Sequence, residues 1–346
     1  MRELISRICE EINSHLEHKS DKPRGISSLE HESHELSEES FKQLRLNNSG
    51  ISMMFIDGGL SEIVCSPSIA MYHLRLAMVS YKGLEMDDKE VIDYLMLSKI
   101  DEEDGSLYYV AKLFPADNKG KAQTERISID DPSLKEGFNT GTITRFASMM
   151  LRFSELGFAE EMAKKTSKSI MVIDGSLQTT YTREDKVMDR LTETCKEKEV
   201  LLIGFPKTTS MLTESGQDIT YSLRSLEGKM KGKMWYYGPV LNYHDETFSA
   251  DIIYAKLHRS ARRLFRIEIS NRFENVDRNK VLGELATNSA DPVFLGYPYG
   301  LIKADAIARV ANDERRQLRA RIMNHIPIEE MESSSDSHSV LDSIRF

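Results

Sequence analysis

Cysteine is scarce in this chain: Cys9, Cys65 and Cys195 are the only three in 346 residues, and no two form a C-x-x-C pair. Neither a zinc cluster nor a disulfide framework is suggested by that spacing. Long apolar runs are missing as well. None approaches the ~18–20 residues needed to cross a bilayer, and Met1–Arg7 carries an acid at Glu3 with no signal-peptide core. The expectation is a cytoplasmic protein without membrane contact. A Walker A sequence is absent. An excess of positive charge is lacking too, with 46 Lys and Arg against 55 Asp and Glu, net −9. The deficit is uneven. Residues 1–45 carry −3 and residues 327–346 carry −4, leaving the body close to neutral. Within that body lie three basic patches: Lys229, Lys231 and Lys233; Lys256, Arg259, Arg262, Arg263 and Arg266; and Arg315, Arg316, Arg319 and Arg321. A local basic groove suffices for a polyanion whatever the net charge, although solvated surface accounts for most such residues.

What the sequence does contain is a repeated design. Ile170–Ile173 is an apolar run suited to a strand buried on both faces, and it stops at Asp174-Gly175. Met53-Met54-Phe55-Ile56 likewise leads into Asp57-Gly58-Gly59. A carboxylate at the end of a buried strand lies at the sheet edge, where substrates reach α/β proteins. Asp-Gly is also a common hairpin turn, so either copy alone has a bland reading; two copies together favour a metal site.

Around these strands, Leu4, Ile5, Ile8, Ile12 and Leu16 fall at helical spacing and predict an amphipathic helix over residues 1–17, docked on the body or on a second subunit. His18–Ser40 reads as a polar loop, and a short helix is expected from about Glu39 to Leu46. Tyr72–Met78 alternates with period two and predicts a half-buried strand. Val91–Ile100 and Leu107–Phe114 are further strand candidates, the first also compatible with a helix, and Asp117–Glu136 reads as a polar connection. Phe138–Lys165 reads as a long helix with Glu155 inside its apolar band, either a boundary residue or a carboxylate aimed at a site. A helix over Glu184–Lys196 and a strand over Val200–Phe205 follow, the strand leaving into a loop that carries Lys207. Residues 211–230 look helical. Met234–Tyr237, Ala250–Leu257 and Leu264–Ile269 look like strands, the last two joined by a basic turn. Val281–Ala290 looks helical, Gly296–Gly300 reads as a turn, and a helix from about Ile302 carries Asp305. The acidic, Ser-rich tail from Glu329 reads as disordered.

In order, this is an Asp-bearing strand, antiparallel strands, a helix with Glu155, a strand with Asp174, alternating α and β, and a late helix with Asp305. That layout predicts an α/β, ribonuclease H-like (Piwi-like) mixed sheet flanked by helices, with an N-terminal helical extension. Carboxylates packed together repel unless cations neutralise them, and hard oxygen ligands suit Mg²⁺ or Mn²⁺. Two ions about 3.5–4 Å apart serve phosphodiester hydrolysis well.

The sequence resembles the NurA family of DNA-repair nucleases over about residues 48–312. The resemblance rests on Phe55-Ile56-Asp57-Gly58-Gly59, Arg152-Phe153-Ser154-Glu155-Leu156, Ile173-Asp174-Gly175-Ser176-Leu177, Lys207, Lys256-Leu257-His258 with Phe265-Arg266-Ile267-Glu268, and Tyr297-Pro298-Tyr299-Gly300 through Asp305. It implies a NurA nuclease domain over 48–326, preceded by an extension and linker (1–47) and followed by the acidic tail (327–346). It also implies a Mn²⁺-dependent 5′→3′ exonuclease and single-strand endonuclease, binding two Mn²⁺ or Mg²⁺ ions, a homodimer, and end resection of DNA breaks with a HerA-type hexameric translocase. By position, Asp57, Glu155, Asp174 and Asp305 would be metal ligands and Tyr297 a nearby catalytic residue. Lys207, Lys256, Arg259, Arg262, Arg263 and Arg266 would meet DNA. Two residues depart from the family pattern: Gly59 stands where Ser is usual, and Asp305 where His is. The competing readings are an actin/Hsp70-like ATPase, which also uses strand-Asp-Gly turns, and a non-catalytic DNA-binding subunit.

Overall fold

The computed structural model describes residues 1–15, 21–26, 28–117, 120–135, 140–207 and 210–325. The acidic tail lies outside them. In chain order the elements are α1 (Arg2–His15), β1 (His31–Ser33), β2 (Phe41–Gln43), β3 (Ser52–Cys65), β4 (Ile69–Lys82), β5 (Glu85–Glu103), β6 (Ser106–Pro115), β7 (Gln123–Ser128) and α2 (Ile143–Lys164). Then come β8 (Ser169–Asp174), α3 (Glu184–Glu197), β9 (Val200–Phe205), α4 (Ile219–Leu226), β10 (Trp235–His244), β11 (Ser249–Lys256), β12 (Phe265–Ser270), α5 (Arg278–Asn288), α6 (Tyr299–Ala308) and α7 (Asn312–Met323).

All twelve strands join one mixed sheet, in the order β1-β10-β11-β12-β9-β8-β3-β4-β5-β6-β7, with β2 also on β10. Only β3–β8 and β8–β9 are parallel; the other neighbours run antiparallel. The middle of the sheet, β5-β4-β3-β8-β9, is three consecutive antiparallel strands followed by two parallel ones reached through helices. That is the ribonuclease H-like topology, and helices cover both faces.

The central strands alternate between two cores. Met54, Ile56, Met171 and Ile173 pack with Phe146, Met150 and Leu156 of α2 and Leu191 of α3, whereas Met53, Phe55, Ile170 and Val172 pack with Leu282 and Leu285 of α5 and Leu301 of α6. Period-two side chains that are apolar at every position require cover on both faces. The α2 helix begins at Ile143, where the Thr142 hydroxyl accepts a hydrogen bond from the Arg145 N–H at 3.1 Å, a typical N-cap. Beyond the site, α7 lies along β3, with Leu318 and Ile322 against Ile63 and Val64 and Arg319 donating to the Ile63 carbonyl at 2.7 Å.

Several local expectations are revised. The segment expected as a helix from Glu39 is a 3₁₀ turn over Glu38–Ser40 followed by β2, because Phe41 and Leu44 bury against the far edge of the sheet. The polar loop before it contributes β1, so two short strands from before residue 48, β1 and β2, pair onto β10. The polar connection after Asp117 contains the edge strand β7. Val91–Ile100 is strand throughout, within the 19-residue β5. The helix expected over 211–230 shortens to α4 with a 3₁₀ turn after it, and the last helix of the site starts at Tyr299, earlier than Ile302.

Candidate carboxylate site

Asp57 and Asp174 are brought together by pairing register. Ile56 lies opposite Ile173 in the parallel β3–β8 ladder, so the two aspartates follow side by side. Both share the parity of Phe55 and Val172, and therefore face α6. That helix sits hard on β3. A Cβ on Gly300 would lie 2.1 Å from the Phe55 ring, and one on Gly59 would lie 2.1 Å from the Ala308 carbonyl oxygen. Glycine at both ends of the contact lets α6 approach, and Asp305 projects between them. Carboxylate oxygens of Asp57, Asp174 and Asp305 lie within 4.8 Å of one another, beside a cleft of about 180 Å³ lined by residues 57–61, Asp305 and residues 308–310.

Glu155 arrives from the opposite face. It projects from α2 over Gly58, where a Cβ would meet its Oε1 at 2.6 Å. Consecutive glycines thus open the two faces of one strand, Gly58 to α2 and Gly59 to α6. The Gly58 N–H donates to Asp57 Oδ1 at 2.8 Å. The closeness of the acids is legible in their proton affinity. Burial, then repulsion from Asp174, pushes Asp57 up to about 7. Burial, reinforced by Asp57 and Asp174, pushes Glu155 up to about 8. Asp174 is raised for the same primary reason, partly offset by Lys207.

Lys207, expected at DNA, instead places its ammonium on the acids, 2.6 Å from Asp174 Oδ2 and 3.2 Å from Asp305 Oδ1. Although burial opposes its charge, the hydrogen bond and attraction from Asp174 hold it protonated well above the usual lysine range. Arg309 closes on Asp305 Oδ2 at 2.7 Å. Two cations on a three-carboxylate cluster show how much negative charge it concentrates, and an all-oxygen donor set of this kind fits hard divalent ions. Asp57, Asp174 and Asp305 could hold such an ion directly, with Glu155 at the edge of the group.

Tyr297 is buried with its hydroxyl unpartnered, next to the acids whose charge, after burial, raises its proton affinity. Its ring meets Phe205 and Phe265 edge-on at 5.3 and 5.5 Å and stacks on Phe294 at 5.3 Å. Of the expected DNA contacts, Arg259, Arg262 and Arg263 are exposed and Lys256 half-buried, and none of the four forms an ion pair among the described residues. Arg266 is different: its guanidinium is committed to the fully buried Glu268 at 2.7 Å.

Sequence reasoning gave no role to the groups that hold the loop after Asp174. Arg152 bridges α2 to that loop, donating to the Ser176 carbonyl at 2.6 Å and to Glu184 at 2.8 Å. Glu268 accepts from the Ser176 hydroxyl at 2.9 Å and the Leu177 N–H at 2.7 Å. A signal existed: Arg152 is one turn before Glu155 on the same helix, and Arg266 and Glu268, two apart on β12, fall on one face of a largely buried strand.

A mixed sheet in ribonuclease H order, with Asp57 of β3, Asp174 of β8 and Asp305 of α6 converging at one point and Glu155 of α2 reaching Gly58 from the other face, defines a ribonuclease H-like protein with a carboxylate centre. The chain belongs to the NurA family, whose domain matches residues 51–310. Solved structures similar to it include the catalytic domain of human Endonuclease V, 12% identical over 81% of this chain and 91% of that one, TM-score 0.35. Another is Aa-Ago with externally bound siRNA, 11% identical over 75% of this chain and 28% of that one, TM-score 0.32. Among curated proteins none matches. Family and fold together support a nuclease.

Proposed function

We propose that the chain is a Mn²⁺- or Mg²⁺-dependent deoxyribonuclease, a 5′→3′ exonuclease and single-strand endonuclease that resects DNA ends in double-strand-break repair. The observation that carries this reading is the convergence of Asp57, Asp174 and Asp305 within 4.8 Å. Bound divalent ions, two in this proposal, would activate water for attack and relieve charge on the departing oxygen. Asp57, Asp174 and Asp305 would hold them; Glu155, which keeps a proton to about pH 8 in their absence, would join once that proton is lost. Tyr297 would offer its free hydroxyl to a phosphate oxygen, and Lys207, released from the acids by the incoming ions, would do the same. The ATPase alternative needs the chain to turn at Gly58, whereas β3 continues through it to Cys65, paired to β4.

The working form in this proposal is a cytoplasmic homodimer acting with a HerA-type hexameric translocase. The helix α1 supports a partner-bound form: Leu4, Ile5, Ile8 and Ile12 are each about half exposed along it. Purified protein incubated with end-labelled single- and double-stranded DNA is expected to cleave with Mn²⁺ and not with EDTA. R259A and R262A should each flatten the salt dependence of DNA binding by about 0.7–0.9 in slope, whereas R266A should lower stability instead. Metal-independent DNA binding with no cleavage under any condition would favour the non-catalytic alternative.

A further inference from the structure

Two consecutive large apolar side chains are exposed just before the helix that carries Asp305. Val293 is 75% exposed and Phe294 37%. Both stand in the turn before Tyr297. This turn is built, not loose: the Val293 N–H is held by Asp291 Oδ1 at 2.9 Å, the Gly296 N–H by the Ser289 carbonyl at 2.9 Å, and the Tyr297 N–H by the Phe294 carbonyl at 3.0 Å. One part of the Phe294 ring is backed by Tyr297, nearly parallel at 8° and 5.3 Å, and by the edge of Phe265 at 5.8 Å. The remainder faces solvent. Tyr297 is the same ring whose free hydroxyl lies beside the carboxylates, so Phe294 is one ring removed from the reacting centre.

The surroundings say what would cover it. The Arg263 guanidinium lies 5.8 Å from the Phe294 ring centre, and the turn that carries it packs on Gly296, where a Cβ would meet Ala261 at 2.7 Å. Arg224 braces that turn by donating to the Arg262 carbonyl. Arg259, Arg262 and Arg263 have no acidic partner among the described residues. An exposed aromatic face bordered by uncompensated arginines matches a ligand with a flat apolar ring and an attached phosphate, which is a nucleotide within a strand. A paired base has its faces taken up by its neighbours in the duplex, so the surface fits an unstacked one.

We infer that Phe294, backed by Tyr297 and flanked by Arg263, is a stacking platform for an unpaired nucleobase next to the phosphate that enters the carboxylate site. The inference rests on the nuclease reading and narrows its substrate to single-stranded or frayed ends.

The test uses the full chain in EDTA, so that binding is read without cleavage, and short single strands carrying 2-aminopurine at one position at a time. Stacking changes the fluorescence of that base. The parent should respond at one or two adjacent positions. F294A, and F294L which keeps apolar packing on Tyr297, should lose the response and bind single strands about 5- to 150-fold more weakly, the range of one base–aromatic stack. F294W should retain it. Binding of fully paired duplex should change little. Unaltered affinity and response in both F294A and F294L would overturn the platform and leave the nuclease reading intact. A parent that binds neither single nor double strands at low salt, and cleaves neither with Mn²⁺, would overturn both.

Discussion

Asp57-Gly58-Gly59 and Asp174-Gly175-Ser176 are nearly the same words, yet the chain does opposite things at them. At Asp57 it passes straight on. Asp57, Gly58 and Gly59 stay paired with Ala77, Leu76 and Arg75, and β3 continues to Cys65. At Asp174 the strand ends, and Gly175 takes φ +121, a conformation that L side chains rarely adopt. Glycine therefore serves two separate purposes. In the first motif it supplies space, so that α2 and α6 reach the strand from its two faces; in the second it supplies a dihedral angle. The passing strand fixes its carboxylate by the pleat. The ending strand needs its loop held from outside, which Arg152 and Glu268 do.

The carboxylates themselves should show the largest and most symmetrical effect. D57N and D174N are each expected to cut metal-dependent cleavage by at least about 100-fold, more than loss of an outer-shell partner, while leaving the fold intact because repulsion is relieved. Near-parental cleavage by either folded variant would break the equivalence of the two motifs as ligands.

Their glycines should separate them. G59A brings a methyl against the backbone carbonyl of Ala308 and is expected to destabilise by about 1–3 kcal/mol or more. G58A meets side-chain atoms alone, Oε1 and Cγ of Glu155 and Cδ1 of Leu151, so it should fold and lose activity instead. G175A has open space, with Arg152 Nη1 nearest at 3.8 Å, and its penalty of about 1–3 kcal/mol comes from the backbone alone. Urea unfolding and specific activity together separate G58A from the other two; a G58A as destabilised as G59A would mean that Glu155 and Leu151 cannot give way.

How far the sequence reaches follows from the same contrast. The alternation of Met53 to Ile56 and of Ile170 to Ile173 is local, and it marks both central strands and their two-sided burial. Whether Asp-Gly then turns or continues is decided by partners far away in the chain: Leu76 and Arg75 for the first, Phe205 for the second. Phe41 of β2 and Leu44 just after it are three apart, a spacing that suits a helix, and the segment becomes a strand only because β10 is there to pair with it. β7 carries a single buried apolar residue, Ile127, too little for a periodic signal at a sheet edge. Of the site, Asp57 and Asp174 are legible as acids that end apolar strands and Glu155 as an acid within a helix's apolar band, whereas Asp305 is reached only through the order of elements and the family resemblance. The attachment of Lys207 to them is not legible, since nothing local links residue 207 to residues 174 and 305.

Charge gives a smaller test of the metal-free site. Asp57 titrates near 7 and Glu155 near 8 in the folded chain, against about 3.9 and 4.3 unfolded. Folded protein binds more protons across that interval. Their contribution to stability is therefore complete at the acid end and is lost as pH rises through about 4 to 8. The melting temperature of the metal-free protein should fall on the order of 5 °C between pH 5 and 8. D57N and E155Q should each flatten the fall, and saturating Mn²⁺ should reverse it. A flat profile in the parent would mean the acids are better solvated than their burial indicates.

Lys207 should give the smallest effect and the sharpest asymmetry, because it rests on Asp174 and Asp305 and reaches Asp57 only through space. Its ammonium is the cation these acids use without metal, so a divalent ion must displace it to take both oxygens. K207M removes that competition. Mn²⁺ binding, measured by calorimetry without DNA, should tighten a few-fold, a modest gain because half of the lysine side chain is exposed and screened by water. The gain should vanish when K207M is combined with D174N, which deletes the charge that held the ammonium, and persist when it is combined with D57N. Tightening that is lost equally in both double variants would mean that Lys207 acts on the cluster as a whole, and the distinction between the two aspartates would then lie in their backbones alone.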